Sequence, residues 1–308
     1  MTEESNVKQT RLRRRLIVER ISSGWLHIAG YFATALLLGI FALLIWESLD
    51  LLAEYSLVQL MTSANWDPAQ EEFGFLPALV GTLYVTAIAM IIGTPIAIFA
   101  ATYIAEFAEG RSKAVVSSFI DVLAAVPGVV FGLVGIIVVV PLVGDYIAPI
   151  FGAQSTGLSI LTAGLVMSIV ITPYMISMAV EALESLPDEL RESALALGAT
   201  RWEMIKHILY RGAGPALISA TLLGFGRVFG ATIVPTMLIG GQTQIPESPF
   251  STGQTLTSTI VNDFGELMTL PLTQSALIFV GVILLTVVLV FNLIATVIRR
   301  RLERRWQY

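Results

Sequence analysis

The chain has 308 residues, of which 55% are hydrophobic and only 13% are charged, and its net charge is −5. An ordinary soluble domain is about one quarter charged, so this composition and a mean hydropathy of +0.79 exclude that class and indicate a polytopic membrane protein. The absence of cysteine excludes disulfide bonds and cysteine-ligated metals.

Six apolar runs reach the roughly 20 residues that a membrane-spanning helix needs. They predict spans at about 25–47, 77–105, 115–140, 157–180, 213–240 and 272–298. The first run is too long for the apolar part of a signal peptide and no small-residue cleavage site follows it, so we expect it to be retained. The predicted organisation is a basic segment at 1–24, a six-span domain at 25–298 and a basic tail at 299–308.

The basic residues predict the orientation of the spans. All but one of the 18 Lys and Arg residues lie before span one, between spans two and three, between spans four and five, or after span six. The alternate loops at 48–76, 141–156 and 241–271 hold acids instead. These acids are Asp50, Glu54, Asp67, Glu71, Glu72, Asp145, Glu247, Asp263 and Glu266. The positive-inside rule then places both termini in the cytoplasm, and the arginine clusters would touch anionic lipid there.

The longest cytoplasmic loop, at about 181–212, contains the charged stretch ESLPDELRESALALGATRWEMIKHIL. Its pattern predicts one helix through Leu197, a turn in which Gly198 takes the left-handed conformation, and a second helix toward Leu209. The two expected capping boxes are formed by Ser185 with Asp188 and by Thr200 with Glu203.

Small and apolar residues lie beside the predicted turn. Ala194, Leu195 and Leu197 would place apolar surface next to Gly198, where the chain can approach a partner closely. One interpretation is a docking surface for a cytoplasmic protein. The other is a lid that covers the loop's own helical bundle.

Spans three and five are interrupted by proline and glycine, which membrane helices tolerate where the backbone lines a cavity or packs on protein. Span five also holds Arg227, and a charge at the centre of a span costs about 2.5–3.5 kcal/mol on insertion scales, so it should face a cavity or a partner. Its planar donor fork suits an oxyanion, and Thr232 and Thr236 would add hydroxyl groups. Asp121, near the start of span three, is a further candidate. A structural ion pair is the alternative role for Arg227.

The chain lacks the signals of an enzyme. It has only two histidines, no His-Glu-x-x-His spacing and no glycine-rich P-loop with Lys-Ser or Lys-Thr. We therefore expect no catalytic residue, metal or cofactor in this chain, and ATP with its magnesium would be bound by a partner.

The loop resembles a known motif. Glu192-Ser193-Ala194, followed after three residues by Gly198 and after nine more by Ile208, is similar to the EAA loop of ABC-importer permeases. The resemblance implies that Glu192, Ser193, Ala194, Leu197, Gly198 and Ile208 couple this chain to an ATPase subunit. Ser193 replaces the usual second alanine, and Tyr210-Arg211 replaces the usual Leu-Pro.

Four further segments resemble phosphate-importer permeases of the C type. They are NWDPAQEEFGFLPALVGTLYVT, DVLAAVPGVVFGLVG, GFGRVFGATIVPTMLIGG and STGQTLTSTIVNDFGE. The resemblance implies an all-α, six-span, MetI-like fold of a type I ABC importer in the plasma membrane. It also implies an A-type permease, two ATPase subunits and an extracytoplasmic phosphate-binding protein as partners, with no nucleic acid. The family pattern Gly-Arg-x-x-Gly-Glu ends in Ala231 here, so Arg227 has no intrahelical carboxylate.

Other classes of transporter and a membrane enzyme are the alternatives to this family. A permease for another oxyanion is the nearest alternative. An ion-coupled carrier would more often show inverted repeats and several buried ionisable groups, and a passive channel is the related possibility. A membrane enzyme would need a cluster of nucleophile, base or metal ligands near one interface.

Overall fold

The computed structural model describes the backbone of residues 3–265 and 269–306, and the side chains of residues 24–265 and 269–301. Glu266 and all eight basic residues at 1–24 and 302–308 lie outside the described side chains. The long helices are α1 (Glu3–Glu47), α4 (Leu76–Glu106), α8 (Ile160–Glu184) and α15 (Pro271–Trp306). The shorter helices are α2 (Leu49–Glu54), α3 (Leu57–Thr62), α5 (Gly110–Ala125), α6 (Gly128–Val134), α7 (Ala148–Ile150), α9 (Asp188–Ala196), α10 (Arg201–Met204), α11 (Tyr210–Gly212), α12 (Gly214–Phe229), α13 (Ile233–Leu238) and α14 (Leu256–Asp263).

Five helices are long and apolar enough to cross a membrane among the described residues. They are Gly24–Glu47, Leu76–Glu106, Gly128–Ile150, Ile160–Glu184 and Pro271–Arg301. A sixth candidate is the pair Arg201–Gly212 and Gly214–Phe229, which is bent by 72°. The predicted all-helical membrane architecture is therefore confirmed, with five to six candidate spans among the described residues where six were predicted.

The third span differs from its prediction at 115–140. Helix α5 covers the first part of this run but ends at Ala125, and the membrane-length helix begins only at Gly128. Pro127 explains the break, because proline has no N–H and forces the preceding residue away from helical geometry; Val126 is extended accordingly, with φ −65° and ψ 128°. The span then continues through two π-helical segments, Gly135–Val139 and Leu142–Ile147. Much of the predicted 141–156 loop is therefore helical.

The fifth span is also discontinuous where a single run at 213–240 was predicted. Helix α12 ends at Phe229, and α13 begins at Ile233 after a short break. The break consists of Gly230, Ala231 and Thr232, and glycine is a poor residue for a helix interior. The break leaves Arg227 in the last turn of α12.

The core of the bundle is the contact between α4 and α8. Ala89, Ala97 and Ala101 of α4 are fully buried. Gly93 and Gly164 allow the two helices to approach closely: a β-carbon on Gly93 would lie 3.3 Å from the Ser168 carbonyl oxygen. Small residues bring helix backbones together in membranes, where packing rather than the hydrophobic effect holds helices.

One end of the bundle carries a short antiparallel hairpin, Trp66–Asp67 paired with Glu72–Phe73. We call this the hairpin end. The indole N–H of Trp66 donates to Asp263 Oδ2 at 2.8 Å and so joins the hairpin to α14. Gly81 of α4 meets the same region so closely that a β-carbon there would lie 2.1 Å from the Gln254 carbonyl oxygen. The helices α9 to α11 lie at the end of the bundle where α4 ends and α8 passes into the loop at about 181–212.

Candidate functional site

The loop between α8 and α12 is the predicted pair of helices around a glycine turn. Helix α9 ends at Ala196, and Gly198 has a φ of +84°. The amide of Ala199 donates to the Ala194 carbonyl at 3.1 Å, which closes the end of α9. The left-handed conformation expected at Gly198 is thus confirmed, and a side chain there would be strained although nothing lies within 4 Å of its position.

Of the two predicted capping boxes, only the second is present. The Thr200 hydroxyl accepts from the Glu203 amide at 3.3 Å, and Glu203 Oε2 accepts from the Thr200 amide at 2.8 Å. The Thr200 hydroxyl also donates to Glu203 Oε2 at 2.7 Å, and the two bonds that this carboxylate accepts, from the Thr200 amide and hydroxyl, lower the pKa of the Glu203 carboxyl. The box predicted at Ser185 and Asp188 is wrong: Ser185 instead bonds back to the Ala182 carbonyl, and Pro187, which has no side-chain acceptor, caps α9.

The predicted docking residues have different environments. Leu197 is 89% exposed, and Glu192, Ser193 and Gly198 are exposed as well. A lid would bury its apolar residues, so these exposures favour the docking interpretation. The expectation that Ala194 adds to the apolar surface is wrong, because it is only 4% exposed and faces the core.

Ile208 is half-buried, in a π-helical segment of the second loop helix. That helix continues without a proline from Arg201 to Gly212 and then turns by 72° into α12. Tyr210, which stands where the motif usually has leucine, bonds through its hydroxyl to Thr102 of α4 at 2.8 Å.

Arg191 attaches the loop to the end of α4. Its Nε and Nη2 both donate to Oε1 of Glu106, at 3.0 and 2.9 Å. Nη2 also donates to the Leu183 carbonyl, and Nη1 donates to the Leu186 carbonyl and to Asp188. The Glu106 side chain is only 4% exposed. The sequence analysis missed this pair, because the only local signal was an acid at the end of an apolar run.

A cation–π contact adds to this attachment. The guanidinium of Arg201 lies 4.7 Å from the centre of the Phe107 ring. Together with the bonds of Arg191 and Tyr210, three separate loop residues contact the segment 102–107 at the end of α4. We call this segment the α4 seat.

Arg227 lies exposed at the end of α12, above the ring of Tyr174 on α8. The Tyr174 hydroxyl donates in turn to the Ala124 carbonyl at the end of α5. Among the residues with described side chains, Arg227 forms no ion pair. Its guanidinium is therefore held by an aromatic face and keeps its hydrogen-bond donors available.

The other predicted pathway residues are only partly brought together. Thr232 lies in the break after α12, and the Thr236 hydroxyl donates to the Thr232 carbonyl at 2.7 Å. Asp121 is exposed on α5, one turn before Ala124. The prediction that it opens a membrane span is wrong, because α5 is separate from the Gly128–Ile150 helix. No described contact joins Asp121 to Arg227.

In the part of the chain with described side chains, no group of three or more His, Asp or Glu residues is placed to hold a metal ion.

Several relatives resemble this chain along most of their length. It is 35% identical over 239 residues to a probable ABC transporter permease of Bacillus subtilis, YqgH, covering 77% of this chain and 76% of the relative. It is 32% identical over 262 residues to the phosphate transport system permease protein PstC of Xylella fastidiosa, with 80% of each covered. A probable PstC of Methanocaldococcus jannaschii is 31% identical, with 74% and 76% covered.

Solved structures share the fold at low sequence identity. A bacterial ABC transporter involved in alginate import matches with a TM-score of 0.63 and 18% identity, covering 92% of this chain and 98% of that one. The MetNI methionine ABC transporter in an inward-facing conformation matches with a TM-score of 0.52 and 19% identity, covering 74% and 94%.

The model of one family matches residues 93–308, which is most of the chain. Its members are multi-pass subunits of the inner membrane that bind no cofactor themselves and work with ATPase and binding-protein partners. The chain belongs to the binding-protein-dependent transport system inner membrane components, as a non-catalytic permease subunit of an ABC importer.

Proposed function

We propose that this permease subunit carries inorganic phosphate into the cell, with Arg227 as the residue that binds the anion. The observation that carries the proposal is the guanidinium of Arg227, exposed at the break in span five and free of ion pairs among the described residues. A planar fork of N–H donors binds two phosphate oxygens at once. The phosphate permeases of Xylella fastidiosa and Methanocaldococcus jannaschii among its relatives support the same substrate.

Thr232 and Thr236 would add hydroxyl donors beside the anion as it passes the break. Their hydroxyls now bond to carbonyls of their own segment, at 3.5 Å for Thr232 and 2.7 Å for Thr236. Both hydroxyls can rotate to donate to an oxyanion instead. The exposed carboxylate of Asp121 would repel a phosphate, so we assign it no contact with the anion.

Transport would proceed by alternating access, driven by ATP hydrolysis in partner subunits. Leu197 and Gly198 form the exposed tip of the loop, and Glu192 and Ser193 lie exposed on α9 beside it. This surface would insert into a cleft of an ATPase subunit. The complete importer would contain an A-type permease, two ATPase subunits and an extracytoplasmic phosphate-binding protein, with both termini of this chain in the cytoplasm.

The acidic loops support delivery by a binding protein. Asp50, Asp67, Glu71 and Glu72 lie at or near the hairpin end, and the predicted orientation places this end outside the cell. Such a surface repels free phosphate, although only weakly beyond a Debye length of about 8 Å. It would instead dock the binding protein through Lys or Arg residues of that protein. Uptake at an undiminished rate without any binding protein would contradict this step.

The loop is tested by replacing Gly198 with valine in the full complex. A β-branched residue is costly at a φ of +84°, so the tip should distort, and both co-purification of the ATPase and phosphate uptake should fall. Gly152→Val is the matched control, because Gly152 also has a positive φ, of +68°, and nothing within 4 Å of its β-carbon position. It lies outside the loop and should keep both activities. Normal values of both in Gly198→Val would exclude docking through this turn.

The substrate is tested in liposomes that contain the complex and a binding protein. Phosphate should stimulate ATP hydrolysis and accumulate inside the liposomes, whereas sulfate should do neither at the same concentration. Stimulation by sulfate with no response to phosphate would reassign the permease to another oxyanion.

A further inference from the structure

We infer that the loop and the α4 seat form one rigid unit, so that movement of the ATPase enters the membrane domain through α4, with Arg191 and Glu106 as the positioning residues. This inference rests on the proposed docking role of the loop. It assigns the route by which a displacement at Gly198 reaches the transmembrane helices.

The side chain of Arg191 donates to four different residues. Its donors reach the carboxylate of Glu106, the carbonyls of Leu183 and Leu186, and the carboxylate of Asp188. One side chain thus connects the ends of α4 and α8 to the start of α9. An ion pair buried to this degree resists separation, because removing one partner leaves an uncompensated charge in a poorly solvated site.

The attachment to α4 is repeated along the loop. Arg191 belongs to α9, Arg201 to the start of the second helix and Tyr210 to its end, and all three contact the α4 seat. Three contacts from different parts of the loop to a segment of six residues, 102–107, fix both the position and the rotation of the loop relative to α4.

The connection of the loop to α12 differs from its attachment to α4. The loop passes into α12 through Ala213, which lies in a turn between Gly212 and Gly214, and the two helices differ in direction by 72°. Glycine makes a segment conformationally permissive. A rigid loop that is fixed to α4 and joined to α12 through this turn would pivot at residues 212–214.

Close packing can carry the movement onward from α4. Helix α4 packs closely on α8: Ala89, Ala97 and Ala101 are fully buried, and a β-carbon on Gly93 would lie 3.3 Å from the Ser168 carbonyl oxygen. Helix α8 holds Tyr174, on which the guanidinium of Arg227 lies. The same series of contacts therefore joins the docking surface to the residue proposed to bind the anion.

Distance measurements on the assembled complex test this unit directly. The chain has no cysteine, so pairs of introduced cysteines can be spin-labelled alone. Ala196→Cys in the loop is paired with Phe99→Cys on α4 or with Leu223→Cys on α12, and both distances are measured without nucleotide and with trapped ATP. We expect the loop-to-α4 distance to stay constant while the loop-to-α12 distance changes. A shift of equal size in both pairs would overturn the rigid unit.

Substitution of the ion pair gives a second, independent readout. Glu106→Gln and Arg191→Lys should still bind the ATPase, because the exposed tip is untouched, but the phosphate transported per ATP hydrolysed should fall severalfold. Arg191→Lys keeps the charge and loses the fork, so it stays informative if Glu106→Gln does not fold. The control is Lys113→Gln, which removes the half-exposed ion pair of Lys113 with Glu184. This variant should leave the amount of phosphate transported per ATP hydrolysed unchanged.

The outcomes separate this inference from the docking proposal. If Gly198→Val abolishes coupling while Glu106→Gln and Arg191→Lys transport with the normal ratio, the loop docks but the α4 seat does not carry the movement. If Gly198→Val also behaves normally, docking itself fails.

Discussion

The guanidinium carbon of Arg227 lies 3.4 Å from the centre of the Tyr174 ring, so that a charge on α12 rests on an aromatic face of α8. A cation–π contact contributes about 0.5–1 kcal/mol at exposed sites and about 2 kcal/mol or more where water is excluded. This contact orients the guanidinium without occupying its N–H donors. The arrangement suits a residue that must bind and release an anion.

Replacing Arg227 with glutamine should leave the complex assembled but abolish phosphate uptake, because the charge and the donor fork are both lost. Arg227→Lys should also be impaired, since it keeps the charge but not the planar fork. Uptake into liposomes and co-purification of the partner subunits are measured together. Wild-type uptake in Arg227→Gln would rule out a transport role, and loss of assembly would indicate a structural one.

Tyr174→Leu should reduce uptake by about 2- to 30-fold, the range that corresponds to losing about 0.5–2 kcal/mol of cation–π stabilisation. Tyr174→Phe is the matched control, because it keeps the ring and loses only the hydroxyl that donates to Ala124. Initial uptake rates at saturating binding protein distinguish the two variants. Equal rates in both would show that the aromatic face does not orient Arg227.

Asp263 should respond differently to loss of charge and to loss of its hydrogen bond. Asp263→Asn retains an acceptor for the Trp66 N–H and should melt close to wild type. Asp263→Leu leaves that buried donor without a partner, which costs about 1–3 kcal/mol. Thermal melting of the purified complex measures both. A lower melting temperature for the asparagine variant than for the leucine variant would contradict this expectation.

The same carboxylate gives a pH dependence. Burial raises the pKa of Asp263, and the hydrogen bond from Trp66 opposes that shift. Because the folded pKa lies above the unfolded one, the cost of burying the charge is present above the folded pKa and disappears as the pH falls through it. Mild acidification should therefore raise the melting temperature of wild type relative to Asp263→Asn, which cannot titrate. The opposite trend would show that the charged form is favoured.

Gly81→Ala should lower the free energy of unfolding by about 1–3 kcal/mol or more, since this is the typical cost of overpacking a core. The added methyl group would lie 2.1 Å from the backbone oxygen of Gln254, so the backbone itself must move. Gly39→Ala is the control, as nothing lies within 4 Å of its β-carbon position on α1. Expression and thermal melting of the two variants are compared. Equal stability would mean that the contact between α4 and the Gln254 segment is adjustable.

Local signals in the sequence were sufficient to predict the loop turn and its second cap. Both signals act on the backbone next to them: a glycine between two helical patterns, and a threonine three residues before a glutamate. The left-handed conformation of Gly198 and the capping box of Thr200 were therefore predicted correctly. The capping box predicted at Ser185 from the same pattern was wrong, because the Ser185 hydroxyl donates instead to the Ala182 carbonyl, one turn back. The continuous span predicted from hydropathy at 115–140 was also wrong, because the apolar run continues through Pro127, where the helix is interrupted.

Contacts between distant segments were beyond the sequence. Glu106 and Arg191 are 85 residues apart, and nothing near either residue indicates the other. Tyr174 was likewise hidden, because an aromatic residue in a membrane span is ordinary unless the position of Arg227 is known. The exposed loop tip and the spans other than three and five could be predicted from the sequence, but the α4 seat depends on how the helices pack.

The charge of Arg227, unmatched by any described carboxylate, also has an electrical consequence. An anion that enters a cell with a negative interior works against the membrane potential, at about 2.3 kcal/mol per charge for each 100 mV. A singly charged phosphate bound to a fixed guanidinium forms a neutral pair. The field exerts no net force on such a pair, although the total work of import is unchanged. The membrane potential would then oppose the binding and the release of the ion. It would not oppose the conformational change of the helices while the ion is bound.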